Sequence, residues 1–402
     1  MSCRICGASA TRTVLDLGVS PPANSLLDRP DESQNCFPLV LEHCPHCANL
    51  QLRDCLDATE LYRNYLYVTP DSRALQEHYE QLHHYLTARG YLAPQAFVLE
   101  VGSNVGLLLQ YLQRKGFKVL GIDAAANICR MARDAGVNTI CDFLGVTSAR
   151  AIRDTYGMPD LLIARHCLAH NADPHAMIAA AAELLDKSAH LVIENAYALN
   201  TVENNEFDQI YHEHMFYYSV RSMQTLLASH GMHLVDVFLT PVHGGSIVFI
   251  AKRKSPDDHL APEVESLAVR EDQALTATAF ERFAANAAGI RRSLRTLITE
   301  LTSRGHDIYT YGATAKGNTL LNYVGLTRED IRYCVDSTTI KQGKYLPQSR
   351  IEVISEESAY ASAPDYFLLT AWNYKEEIIA KVRQAGNRRS RFILPIPSVH
   401  IV

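Results

Sequence analysis

No run of apolar residues in this chain reaches the ~18 that a membrane span needs. The opening "MSCRICGASATRT" also lacks the apolar core of a secretory signal. Both absences argue against membrane insertion or export, and a cytoplasmic location is expected. Basic residues are not in excess: 38 Lys and Arg face 44 Asp and Glu, a net charge of −6. That gives no support to a nucleic-acid partner held by a broad basic field. An anionic small ligand needs only a local site and stays open. There is no low-complexity segment and no internal sequence repeat. Ten cysteines without an export signal point to reduced thiols rather than a disulfide framework. The remaining composition, 47% hydrophobic and 20% charged over 402 positions, is usual for a globular protein. The length exceeds one ordinary domain.

The first 60 or so residues hold "CRIC", "SPPANSLLDRP" and "HCPHC" with poor apolar periodicity. This part is expected to be loop-rich and unable to fold on a hydrophobic core alone. "PDSRALQEHYEQLHHYLTARG" (70–90) reads as an amphipathic helix stopped by Gly90. From about residue 95, strands and helices alternate. "QAFVLEVG", "KVLGID", "DLLIAR" and "HLVIENA" are buried strands. Helices such as "VGLLLQYLQRKG" and "PHAMIAAAAELLDK" separate them, the pattern of a mostly parallel sheet. "MHLVDVFLT" and "GSIVFIAKR" read as an antiparallel edge pair. Residues 262–304 contain one Gly and one Pro and read as long helix, interrupted near Gly289. A second α/β set follows, opened by "DIYTYGATAKGNTLLNYVG" and continued by the strands "IRYCVDS", "RIEVIS", "PDYFLLT" and "RFILPI".

Cys3-x2-Cys6 and Cys44-x2-Cys47 are two knuckles with residues 7–43 between them. Two residues between cysteines let both sulfurs reach one ion, and four thiolates close a tetrahedral Zn2+ site. A site with no open position is structural and stabilises a segment short of core. His43 and His46 flank the second pair and offer a swapped ligand; symmetry favours the four cysteines. "LEVGSNVG" (99–106) is a glycine-rich turn between strand and helix. It lacks G-x-G-x-x-G. Its acid-x-Gly-x3-Gly pattern, Glu100, Gly102, Ser103, Asn104 and Gly106, looks like the first motif of S-adenosylmethionine (SAM) methyltransferases. Asp123 ends the next strand, where a carboxylate can accept both ribose hydroxyls. Asp142 and Phe143 in "CDF" are placed to meet the adenine. The expected fold is thus α/β: a SAM-binding Rossmann-like sheet (69–255), a small N-terminal zinc-binding domain (1–68), and a second α/β domain with a helical connector (256–402).

"ARHCLAH" (164–170) follows the fourth strand at the C-terminal edge of the sheet, where open α/β sheets bind ligands. It offers His166 or His170 to the site. "DQIYHEHMFYYS" (208–219) follows the fifth strand. Tyr211, Glu213 and His214 can converge there, while His212 and His214 alternate and face opposite ways in extended chain. H-E-x-x-H is absent, so a two-histidine metal site is disfavoured. A histidine beside a glutamate suits general-base work near neutral pH.

Together these features resemble the SAM-dependent sugar C-methyltransferases that act on nucleotide-linked 4-keto deoxysugars. The resemblance spans nearly the whole chain. It rests on the four-cysteine knuckle, "EVGSNVG", "HCLAH", "FDQIYHEHMFYYS", "HGGSIVFIAK" and "YGATAKGNTLLNYVG…VDSTTIKQGKYLPQSRI". It implies proton removal beside a ketone, followed by attack of that carbon, C3 of the sugar, on the SAM methyl group. It implies His214 as base, Tyr211 and Glu213 orienting it or the sugar, and His170 near the ketone. Tyr65 or Tyr67, in "NYLYVTPDS", resembles a tyrosine segment that closes over the substrate. The second α/β domain is implied to hold the nucleotide diphosphate through Thr314, Lys316 and Asn318, thymidine diphosphate being the family's commonest carrier. The zinc is expected to lie away from the chemistry. No nucleic-acid or membrane partner is expected, and a monomer is compatible with the sequence.

Two other readings keep the same scaffold. One is SAM-dependent methylation of another carbon, oxygen or nitrogen, since fold does not fix the acceptor. The other is a non-enzymatic zinc-containing protein that binds a partner; the intact set Glu100, Gly102, Gly106 and Asp123 speaks against it.

Overall fold

The N-terminal cysteines are linked by strands, not only by loops. β1 (Arg12–Ser20) pairs antiparallel with β2 (Phe37–His43), and β2 with β3 (Leu50–Leu52). Leu15, Leu17, Leu39, Leu41, Leu50 and Leu52 are buried in the largest apolar cluster of the molecule, which also holds Tyr217 and Leu320. Outside these three strands the described part of the segment is turn and loop, as expected, and its apolar face packs on its neighbours' core. Periodicity missed this because irregular register between Thr13 and Leu15, and between Asp16 and Val19, breaks the alternation in β1. The computed structural model describes residues 2–57, 61, 68–255 and 260–402. Tyr65 and Tyr67 lie outside the described residues.

The central sheet contains β4 (Phe97–Val101), β5 (Lys118–Asp123), β6 (Thr139–Cys141), β7 (Leu161–Arg165) and β8 (His190–Ala196). Beyond a short strand β9 (Phe216–Tyr217), the chain adds β10 (Met232–Thr240) and β11 (Ser246–Arg253). The order is β10-β11-β8-β7-β4-β5-β6, with β4 to β8 parallel and β10 and β11 antiparallel at one edge. The strand order reverses between β4 and β7, so the carboxyl ends of these two strands open the crevice where such sheets bind ligands. The turns after β4 and β7 carry Gly102 and His166.

β9 does not join that sheet. It pairs with β3, so the segment that follows His214 is the fourth strand of the cysteine module. The Leu52 amide also donates to the Met215 carbonyl at 2.9 Å.

The connector consists of helices Pro262–Ala274 and Ala277–Ser303, broken at Leu275–Thr276 instead of at Gly289. Thr276 starts the second helix by accepting the Ala279 amide. Glu271 is drawn inward to accept the Val220 amide at 2.8 Å. Gly289 stays helical because Ile290, Leu294 and Ile298 bury the face around it, which offsets the ~1 kcal/mol cost of a mid-helix glycine. The last sheet has β12 (Ile308–Tyr311), β13 (Tyr333–Val335), β14 (Glu352–Ile354), β15 (Tyr366–Leu369), β16 (Arg391–Leu394) and β17 (His400–Ile401), ordered β14-β13-β12-β15-β16-β17. Only β17 is antiparallel.

Candidate active site

The glycine turn after β4 is forced by space as well as by backbone angle. Gly102 has φ +65°, and a Cβ there would sit 2.7 Å from the Cys167 Cβ. Gly106 has φ +77°, and its Cβ would meet Val137 at 2.9 Å. Asn104 is also left-handed, and its amide donates to Asp123 Oδ2 at 3.0 Å. The Ala125 amide donates to Asp123 Oδ1 at 3.0 Å, so two backbone amides orient this carboxylate at the end of β5. Burial pushes the Asp123 carboxyl up, and the amides oppose that shift. Asp142 and Phe143 are exposed next to it, with the Asp142 amide bonded to the Asp123 carbonyl at 3.0 Å. The Ser103 hydroxyl is buried against Gly121, so its side chain faces the sheet and only its backbone faces the turn.

Glu100 is buried one strand over. Its Oε1 accepts Arg165 Nε at 3.0 Å and Nη2 at 2.8 Å, while Oε2 is buried without a hydrogen-bond partner. Burial pushes its carboxyl up, and Arg165 pulls it back. An orphaned acceptor at this crevice fits the ammonium group of an amino-acid ligand such as the methionine part of SAM. Asp123 differs in that each oxygen already accepts one amide, and the remaining lone pairs fit a ribose diol. The residues present therefore suit SAM.

The segment 207–217 forms the other wall. Gln209 closes a 3-10 turn, and its carbonyl accepts from His214 Nδ1 at 3.1 Å and from the Tyr217 hydroxyl at 2.7 Å. His214 thus carries its proton on Nδ1, and Nε2 is left as the acceptor. The Tyr211 hydroxyl donates to that Nε2. The His170 ring lies 5.0 Å from the His214 ring, and the Met215 amide ties the two segments together through the Ala169 carbonyl. Burial, followed by the nearby charges of His170, His166 and Lys316, holds His214 well below the ordinary histidine range. His170 is pushed down to about 4, chiefly by burial. Both rings are neutral at neutral pH.

The two flanking residues turn to the cysteine module. Glu213 Oε1 accepts Asn24 Nδ2 at 3.0 Å, and its Oε2 is buried without a hydrogen-bond partner. His212 Nε2 bonds the Phe37 carbonyl at 3.3 Å.

In the second α/β domain the three residues assigned to a diphosphate start one helix and meet different partners. Thr314 caps helix Ala315–Val324 by accepting the Gly317 amide at 3.0 Å, which uses a lone pair of its hydroxyl and not the O–H. Asn318 Nδ2 donates to the Ala23 carbonyl at 2.6 Å, which occupies its amide nitrogen. The Ala313 amide is taken by Asp336 Oδ2 at 2.8 Å, so a carboxylate already meets this turn. Only Lys316 reaches the other wall. Its Nζ donates to the His243 carbonyl at 2.5 Å and lies 5.1 Å from the Trp372 ring. The carboxylates of Glu206 and Asp208 act on it from the catalytic segment. Asp208 Oδ2 accepts Trp372 Nε1 at 2.6 Å, and burial pushes Glu206 up to about 8. Sequence reasoning missed Glu206, Asp208, Trp372 and His243 as neighbours of Lys316. His243 stands in the quoted "HGGS", and Trp372 is the chain's single tryptophan; neither carried a spacing signal.

Cys3, Cys6, Cys44 and Cys47 bring their sulfurs within 4.8 Å of one another. Cys3 and Cys47 Sγ are 3.6 Å apart, as are Cys6 and Cys44. These separations fit the edges of a tetrahedral Zn2+ thiolate site.

A four-cysteine module, a Rossmann-like methyltransferase sheet and a second α/β domain are the parts of a SAM-dependent C-methyltransferase. Residues 241–397 match the family described as "C-methyltransferase C-terminal domain", residues 72–237 match "Methyltransferase domain", and residues 3–62 match "Putative zinc binding domain". The C-methyltransferase NovU of Streptomyces niveus is 35% identical over 404 residues, covering 100% of this chain and 96% of that protein. The chain belongs to this C-methyltransferase family. Among solved structures, the magnesium protoporphyrin IX methyltransferase (ChlM) of Synechocystis PCC 6803 with bound SAM is 18% identical, covers 48% of this chain and 90% of that one, and has a TM-score of 0.36. A likeness at that score carries no argument about this chain. Among the described residues, no helix is long and apolar enough to cross a membrane.

Proposed function

We propose that the enzyme methylates a carbon, C3, of a nucleotide-diphosphate-linked 4-keto deoxysugar through an enolate. The observation that carries this reading is the His214 tautomer. Nδ1–H is spent on the Gln209 carbonyl and Nε2 is left as a buried, neutral acceptor beside Tyr211. A ring depressed in basicity by burial is unprotonated at neutral pH and free to act as a base.

His214 Nε2 takes the proton from the carbon next to the ketone, and the C–H electron pair becomes the enolate. As Nε2 takes the proton, the Tyr211 hydroxyl gives up its bond to the Nε2 lone pair, keeps its own hydrogen, and turns its oxygen to accept from the new Nε2–H. His170, neutral and 5.0 Å from His214 between ring centroids, would donate to the oxygen on which charge develops. When bound, SAM supplies an electrophilic methyl group, so this chain has only to form the nucleophile and align it. Asp123, Asp142 and Phe143 would hold the adenosine, and Glu100 with the turn Gly102–Gly106 the methionine part. Lys316 is the second-domain cation that would face the acceptor or its diphosphate, thymidine diphosphate being the carrier first to be tried. Zn2+ on the four cysteines would take no part in proton or methyl transfer.

The test is hydrogen exchange. In deuterium oxide without SAM, the enzyme should wash deuterium into C3 of a 4-keto sugar nucleotide, seen by NMR, and His214→Asn should abolish the exchange while still binding SAM. Methyl transfer without exchangeable hydrogen at the acceptor carbon would replace this reading with oxygen or nitrogen methylation.

A further inference from the structure

The motif "SPPANS" (20–25) sits in the cysteine module, far in sequence from every residue discussed as catalytic. Its Asn24 is 189 residues from Glu213, and yet Asn24 Nδ2 donates to Glu213 Oε1 at 3.0 Å. The loop is held at both ends. Ser25 Oγ donates to the Pro22 carbonyl at 2.6 Å, which closes the turn. The Ala23 carbonyl, one residue before Asn24, accepts Asn318 Nδ2 of the C-terminal domain at 2.6 Å. Ala23 and Asn318 are buried. The three parts of the chain therefore meet at one carboxyl group: the C-terminal helix fixes the loop, the loop fixes Glu213, and Glu213 is next to His214.

We propose that Asn24 is a positioning residue, through which the cysteine module sets the Glu213 carboxyl so that its second oxygen points at the acceptor. This rests on the reading of Glu213 as part of the catalytic wall. Glu213 Oε2 is buried with no hydrogen-bond partner. A buried polar atom of that kind is costly unless a ligand completes it. A carboxyl group has two oxygens and rotates about one bond, so fixing Oε1 also fixes Oε2. A side-chain amide suits the task because its Nδ2 donates to Oε1 without adding charge. The cysteine module is thus not a remote stabilising appendage. β3–β9 pairing sets the backbone after His214, and Asn24 sets the side chain before it.

The experiment is a double-mutant cycle in the full enzyme, loaded with zinc, with Asn24→Ala, Glu213→Gln and the pair. Asn24→Ala should lower kcat roughly tenfold or more, the rate equivalent of one buried hydrogen bond to a charged or acidic group. SAM affinity, measured by calorimetry, should stay within about twofold. In the Glu213→Gln background, Asn24→Ala should add little, because the group it acts on has already changed. Additive losses would overturn the proposal and make Asn24 merely structural. Full activity of Glu213→Gln would remove Glu213 from the catalytic wall and the proposal with it, while His214→Asn would still test the base on its own. Asn24→Asp keeps the shape and replaces the donor by an acceptor. It should lose as much as Asn24→Ala, and wild-type turnover by Asn24→Asp would equally refute the role.

Discussion

Tyr211 and His214 lie with ring centroids 3.9 Å apart, and the tyrosine hydroxyl donates to the one histidine nitrogen that has no proton. A turn of three residues brings them together, helped by the His214 amide bonding the Tyr211 carbonyl at 2.9 Å. Tyr211→Phe keeps the ring and removes this donor. It should lower kcat by about tenfold to a hundredfold and leave SAM binding unchanged. Since His214 sits well below its usual value of 6.5, the acid limb of kcat/KM for the wild type should fall below pH 6.5. The sign follows from the base being active when neutral: activity holds as pH drops through 6.5 and is lost only on reaching the lowered pKa. A limb at or above 6.5 in a pH–rate profile would remove His214 as the group that titrates.

Glu206 is pushed up to about 8 from 4.5, first by burial and then against the pull of Lys316. In the folded protein it holds its proton to about pH 8, whereas in the unfolded chain it releases it near 4.5. The stability linked to that proton is full below 4.5 and is lost as pH rises through 8. Glu206→Gln mimics the protonated carboxyl. Thermal unfolding should show variant and wild type close at pH 5, with the variant gaining up to about pH 8 and the gap level above it. A gap that does not change with pH would refute the raised pKa.

Gly102→Ala meets two obstacles, a positive φ and a Cβ 2.7 Å from the Cys167 Cβ. The turn must shift, and with it the amide of Asn104 that orients Asp123. SAM affinity should fall by roughly tenfold or more. Pairing Gly102→Ala with Cys167→Gly removes the clash but not the backbone strain, so calorimetry should show partial recovery. Full affinity of the single variant would show that the turn is softer than this packing implies.

Removing zinc with a chelator should expose four reactive thiols and loosen β1 to β3. Because β3 pairs with β9 and Leu52 bonds Met215, the catalytic segment should lose order together with the module. Turnover should drop at least tenfold while SAM still binds to the separate central sheet. Thiol titration, metal content and SAM calorimetry on the same sample check this. Turnover that survives with all four thiols titrating would contradict the shared sheet.

Lys316→Ala removes the cation from among Glu206, Asp208 and the His243 carbonyl. Its effect should fall on the acceptor, with KM raised severalfold or more and the SAM KM unchanged. Steady-state kinetics with each substrate varied separates the two.

The sequence by itself determined whatever depends on near neighbours. The two CxxC pairs give a four-sulfur cluster because each pair is a local hairpin of backbone. Gly102, Gly106 and Asp123 meet at one crevice because a strand, a tight turn and the next strand end are close along the chain. Tyr211 and His214 meet because a short turn joins them, with His212 and Glu213 at its tip. The tertiary structure alone decided the partners that come from afar. β9 joins the cysteine module through hydrogen bonds to a strand more than 160 residues earlier. Asn318 spends its amide on Ala23, and Lys316 enters between Glu206 and Asp208, because three packed bodies meet at one wall. The helix break falls at Thr276 because Glu271 is pulled in to cap Val220. Spacing along a chain encodes local geometry, but burial and the pairing of distant polar groups are set only when the whole core closes.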